Sequence, residues 1–322
     1  MTVTTAPAWT STRSSRQGRR PESRPQHKGF VRARRRRTLI AWGFCSPFVL
    51  LFAAFGLWPV LSSFLMSLTD ITSRDLRTPF SVSFVGLDNY IALFSDPTFV
   101  RATLNTLYFV VVGIPLTMAI ALTLAVALNS GIRRGAALFR VGYFAPVVTS
   151  IIAVAVVWRF MYQPEGLFNA MLATVGIAGP DWLNDPAWAM PALILMGVWR
   201  NFGIPMVIFL AGLQAVPAEL HEAASVDGAS KWRSFRSITL PLLKPATLVV
   251  AVLLSIGFLQ FFEEPFVMTG GGPLDSTTSI GYYAYDQFGF GQYGVAAAAS
   301  YVLVLAIAIL SFVQFRIFRT KD

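Results

Sequence analysis

The chain has 322 residues, of which 55% are hydrophobic and 13% charged, against about 25% charged in soluble globular domains. With a mean hydropathy of +0.59, it has too few polar side chains to cover a soluble surface of this size. Composition excludes soluble domains and predicts an all-α, polytopic membrane protein.

The net charge of +10 sits at one end. Residues 1–38 hold eleven Lys or Arg and one acid, Glu22, and the remainder is neutral. This stretch is rich in Ser, Thr, Pro and Arg without apolar periodicity, so it reads as a disordered basic tail. The cluster Arg32, Arg34, Arg35, Arg36 and Arg37 abuts the first apolar run. That position suits an anchor against anionic membrane lipid on the cytoplasmic side, not a nucleic-acid contact. The apolar run that follows is too long for the 7–15-residue core of a signal peptide, so it is expected to stay in the protein.

Six apolar segments follow, at 39–65, 104–128, 137–162, 187–213, 246–267 and 295–315. Each is near the roughly 20 residues that cross a bilayer. Together with their loops they form one membrane domain over 39–322. The loops predict both termini inside. With the tail cytoplasmic, the inside segments hold Arg133, Arg134, Arg140, Lys231, Arg233, Arg236, Lys244, Arg316, Arg319 and Lys321. The outside loops hold only Arg74, Arg77 and Arg101, as the positive-inside rule requires. A single cysteine, Cys45, cannot form an internal disulfide, and with only His27 and His221 beside it no His/Cys metal set is expected. No G-x-x-x-x-G-K-[ST] string occurs, so a P-loop is not available to bind ATP.

The inside loop 217–241 has structure written into it. Pro217 suits the first turn of a helix, with Glu219 and Glu222 near its positive end. Gly228 suits the stop, and Ser230 can cap a second helix with Trp232, Phe235 and Ile238 on its apolar side. An amphipathic linker lying in the interface has a similar periodicity. The string Glu222-Ala223-Ala224, then Gly228, then Ile238 and Leu240-Pro241 resembles the EAA motif of ABC-importer permease subunits. Leu210-Ala211-Gly212-Leu213-Gln214, Asp227-Gly228-Ala229 and Thr269-Gly270-Gly271-Gly272-Pro273 resemble the carbohydrate-uptake branch, of the maltose-permease large-subunit type.

The resemblance implies a type I ABC-importer permease fold (MetI-like) in the bacterial plasma (inner) membrane. It implies a second homologous permease, two ATPase subunits that bind the ATP and Mg, and an extracytoplasmic solute-binding protein that delivers a carbohydrate. No cofactor is implied in this chain, and no enzymatic activity of its own. Glu219, Glu222, Ala223, Ala224, Asp227, Gly228, Ile238, Leu240 and Pro241 would couple the chain to its ATPase.

Polar residues inside spans are costly and usually functional. Trp199, Arg200 and Asn201 lie midway along the fourth segment; Gln260, Glu263 and Glu264 lie toward the outer end of the fifth. Helical spacing would put Gln260 on one face with both acids. Hydroxyl partners beside an aromatic ring suit a sugar. The resemblance matches Gly197, Trp199, Arg200, Asn201, Gln260 and Glu263 to the solute pocket. Two other readings stand beside this one. Arg200 could pair with Glu263 or Glu264 solely to orient helices, or either carboxylate could serve an ion-coupled secondary transporter. Thr269–Pro273 reads as a tight outside turn.

Overall fold

The computed structural model describes residues 27–75, 82–130, 142, 146 and 149–318. Among these the chain is helical, apart from loops and one isolated bridge between Thr69 and Phe84. It divides into two compact units at Pro59 and Val60.

The first unit holds α1 (His27–Phe52) and a π-helical turn, Ala53–Leu57. Pro59 can donate no amide to the carbonyl one turn back, which accounts for the irregular turn ahead of it. α1 begins at His27, so the disordered tail expected to reach residue 38 is corrected from His27 onward. Arg and Ala favour helix, and a helix already formed by the apolar run extends backward at one hydrogen bond per residue. No described side chain from Ile40 to Pro59 is buried; Phe44 is 83% and Phe55 80% exposed.

The helices α2 (Trp58–Ser67), α3 (Asp88–Ser95) and α4 (Pro97–Asn129) come next. Asp96 caps α4 by accepting from the Thr98 amide at 2.8 Å. With 33 residues, α4 is about 50 Å long at 1.5 Å per residue, longer than the roughly 30 Å hydrocarbon layer. α5 (Ile151–Met161) and α6 (Leu167–Thr174) are short. α7 (Pro186–Asn201) and α8 (Gly203–Gln214) form one span bent by 48°. α9 (Ala218–Val226) and α10 (Lys231–Ser234) make the inside loop. A π-helical turn, Phe235–Thr239, leads through α11 (Leu240–Leu242) to α12 (Lys244–Leu259), across a bend of 66°. α13 (Glu263–Met268), α14 (Ile280–Gly289) and α15 (Tyr293–Phe318) complete the chain.

Three described helices are long and apolar enough to cross a membrane uninterrupted, at Ile40–Ser67, Pro97–Asn129 and Tyr293–Ile317, and the two bent pairs make five. Of the expected third span, most residues before 149 lie outside the described set, with Arg133, Arg134 and Arg140; what is described is the 11-residue α5. The expected count of six is therefore not reached among the described residues.

Two of the expected spans are broken, each at a proline. Pro205 cannot donate to the Asn201 carbonyl, and α7 gives way to α8 at Phe202. Pro265 likewise cannot reach the Phe261 carbonyl, and the chain leaves helix at Gln260–Phe262. The freed Phe261 oxygen accepts instead from the Ser279 hydroxyl at 2.8 Å, so the break is closed by a specific partner. Within a membrane such a partner is required, because no water satisfies the carbonyl.

In the second unit α4 packs against α7, α8 and α12, and α15 against α12 and α14. Phe109 lies at the centre of the main core. Its ring stacks on Phe261 (centroids 4.0 Å apart, 9° between planes) and approaches Phe258 at 5.1 Å. A smaller core of Leu93, Phe99, Tyr283, Ala298 and Ala299 joins α3, α4, α14 and α15.

Candidate functional site

The inside loop is built as the sequence predicts. Gly228 has φ +74°, and α9 ends on paired bonds: the Ala229 amide reaches the Ala224 carbonyl at 2.9 Å and the Gly228 amide the Ser225 carbonyl at 3.1 Å. This is the Schellman arrangement, which wants a residue free to adopt positive φ. Ser230 caps α10 by accepting from the Arg233 amide at 3.3 Å. His221 Nδ1 and Ser234 Oγ, 2.9 Å apart, tie the two short helices together. Trp232 and Phe235 stack at 5.8 Å on one side.

Nothing from Pro217 to Ile238 is buried. Glu219, Glu222, Ala223, Asp227, Gly228, Leu240 and Pro241 are exposed, Ala224 and Ile238 half-buried. Val226 is 88% and Trp232 69% exposed. Apolar side chains left open on a rigid, internally bonded unit are the surface pattern of a docking element. Behind it lies a cavity of about 890 Å³, lined by Leu122 and Val126 of α4 and by Ser130 just after it, together with His221, Trp232 and Phe235.

The polar residues of the fourth and fifth spans sit at the two breaks, and α13 packs against α7. Gly197 is buried, and a Cβ there would come within 2.9 Å of the Phe109 ring; it serves close packing of α7 on α4. The Trp199 indole lies 5.3 Å from Trp158 of α5 and remains 36% exposed. Asn201 donates to the Gly197 carbonyl at 2.8 Å. Gln260 is exposed and Glu263 half-buried. The expectation that Gln260 shares a helix face with both acids is corrected, because α12 ends at Leu259 and α13 starts at Glu263.

Glu264, not Glu263, is the buried acid, at 4% exposure. Its Oε2 and the Nε of Arg200 are both buried without a hydrogen-bond partner. Among the described residues no ion pair joins Arg200 to Glu263 or Glu264, so an orienting pair is not present in this conformation. Each orphaned atom costs about 1–3 kcal/mol.

The outside turn forms as expected and is clamped to α4. Arg101 donates to the Leu274 carbonyl at 2.7 Å, and Asn105 to the carbonyls of Asp275 at 2.7 Å and Thr278 at 3.0 Å. Leu274 and Asp275 hold positive φ, 52° and 58°. Beside them a cavity of about 240 Å³ is lined by Asp96, Asp275, Asp286, Tyr282 and Tyr283. Burial, then the neighbouring Asp275 charge, pushes the Asp286 carboxyl up from its ordinary range. Burial and the bond from Tyr283 to Asp96 (2.6 Å) raise the Tyr283 hydroxyl.

Residues 90–321 match the family described as binding-protein-dependent transport system inner membrane component. The chain belongs to that family. It is a multi-pass membrane permease with relatives of closely similar length. A lactose transport system permease protein of Rhizobium radiobacter is 38% identical over 280 residues, covering 85% of this chain and 92% of that one. An arabinooligosaccharides transport system permease protein of Bacillus subtilis is 36% identical, covering 85% and 87%. A trehalose/maltose transport system permease protein of Thermococcus litoralis is 36% identical, covering 82% and 89%. In fold, a chain of a bacterial ABC transporter that imports alginate superposes with a TM-score of 0.74 at 24% identity, over 90% of this chain and 98% of that one.

Sequence reasoning named the residues of both regions but missed Phe109, Ser279 and the buried state of Glu264. Pro205 and Pro265 were the available signals for the breaks. The partners that close them come from distant segments and have no local signature.

Proposed function

We propose that this chain forms, with a second homologous permease, the membrane path of an ATP-driven importer for a sugar or oligosaccharide. A solute-binding protein delivers the solute outside, and two copies of a separate ATPase supply the energy inside. ATP and its Mg would be held by that ATPase, and this chain would carry no cofactor. The observation that carries the reading is the helix–Gly–helix unit of α9 and α10, internally braced and without a buried residue. Its apolar face suits a groove on another protein, and no nucleotide loop exists in the chain to supply energy from within.

In this reading Glu219, Glu222, Ala223, Ala224, Asp227, Gly228, Ile238, Leu240 and Pro241 form or brace the docking surface. The exposed Gln260, the half-buried Glu263 and Asn201, and the open face of Trp199 offer hydroxyl partners and a ring to the solute. Arg200 lies beside them. Gly197 acts one step back, by letting α7 close on Phe109. ATP binding would draw the docking units together and shift the path between its two faces, which requires different affinities for the two states. Membership of a binding-protein-dependent family leaves ion-coupled secondary transport without support.

The test is reconstitution of the full assembly in proteoliposomes. Solute accumulation should require ATP and binding protein and persist with ionophores present. Accumulation that collapses with the ion gradient and ignores ATP would overturn the proposal.

A further inference from the structure

The mechanism leaves two charged groups unused. Arg200 lies in the last turn of α7 before the first break, and Glu264 in the first turn of α13 after the second. The two helices are packed together. Both Arg200 Nε and Glu264 Oε2 are buried, one a donor and the other an acceptor, and neither has a partner. Complementary groups do not stay unsatisfied on packed elements at no cost, so each is better served by a second arrangement that satisfies it. The breaks supply one. The residues at Phe202 and at Gln260–Phe262 lie outside helix or at a helix junction, where a few dihedral changes can swing a half-span.

We propose that Arg200 and Glu264 form an ion pair that closes and opens during the transport cycle, and that the conformation described here is the open one. The pair acts as a latch between the two broken spans. It rests on the importer reading for the existence of two states, and it goes beyond that reading by assigning the contact that distinguishes them. Glu263, half-buried on the same turn, stays free for solute.

Cys45 is the single cysteine, so Cys45→Ser gives a clean background. Arg200→Cys and Glu264→Cys are introduced there, and the chain is assembled with its partners in proteoliposomes. A short bifunctional thiol reagent is applied to the nucleotide-free and the vanadate-trapped assembly. The latch predicts cross-linking yields that differ at least fivefold between the two. A difference below fivefold means a fixed separation and overturns the proposal. Should the cysteine pair fail to reach the membrane, the charge exchange Arg200→Glu with Glu264→Arg decides instead. Uptake at least tenfold above either single reversal supports the latch, and a smaller gain overturns it. Absence of ATP-driven uptake by the unaltered assembly would count against the importer reading alone, because the cross-linking ratio needs only the ATPase cycle.

Discussion

At the scale of single residues, accessibility separates solute-facing groups from packing groups that look alike in sequence. Gln260 and Gly197 were grouped by resemblance, yet Gln260 is exposed at a break and Gly197 is pressed on Phe109. Gln260→Ala should lower uptake by about 5- to 150-fold, the span of about 1–3 kcal/mol for one lost polar contact, with basal ATPase activity retained. Gly197→Ala should instead lower the thermal midpoint of the solubilised protein, because the added methyl meets the Phe109 ring. Unchanged stability in that variant would remove the packing role. Asp286 gives a pH-dependent case. Its carboxyl is raised in the folded state, so its protonated form is favoured there. The stability this contributes is complete below the ordinary carboxylate range and is lost as pH rises through the folded value. Asp286→Asn should therefore raise the thermal midpoint at neutral pH and leave it unchanged at acid pH; an equal effect at both would exclude the linkage.

At the scale of elements, the sequence shows where helices stop better than what their ends touch. Gly228 and Ser230 were legible because caps are local: the bonds they organise span three to five residues. Replacing Gly228 by Val forces a β-branched residue to φ +74°, at about 1–2 kcal/mol, and skews α9 against α10. The measurable result should be loss of ATPase co-purification and of uptake, while binding-protein docking outside persists. The proline breaks were half legible. Pro265 marks a missing donor, but Ser279 is 18 residues away and was unremarkable in sequence. Its hydroxyl also accepts from the Tyr282 amide at 3.0 Å to cap α14. Ser279→Ala thus loses a cap and strands a buried carbonyl, and should cost more than the usual ~1 kcal/mol of a lost cap. Ser279→Thr should recover much of it in thermal denaturation.

At the scale of the whole molecule, hydropathy identified membrane spans well and their continuity poorly. Apolar content decides that a segment enters lipid, whereas the 48° bend at Phe202 and the break at Gln260–Phe262 follow from single prolines inside runs of otherwise uniform hydropathy. Loop charge predicts the orientation, with both termini inside. In a Cys45→Ser background, Leu274→Cys should react with an impermeant thiol reagent on whole cells and Val226→Cys should not. Both positions are open to solvent in this chain, at 77% and 88% exposure, and labelling of Val226→Cys in permeabilised cells lacking the ATPase separates sidedness from cover by a docked partner. Reversed labelling would invert the topology.

The bond from Ser279 to the Phe261 carbonyl also constrains biosynthesis. When the segment up to Phe261 leaves the ribosome, the hydroxyl that will close its break is still 18 residues behind. Until those residues emerge, the nascent fifth span has an unsatisfied carbonyl at membrane depth, and the insertion machinery or a lipid-water interface must shelter it. The closed form of that break is thus a late event, set when the outer turn folds back, and chains truncated before residue 279 should insert with the Phe261 carbonyl still unpaired.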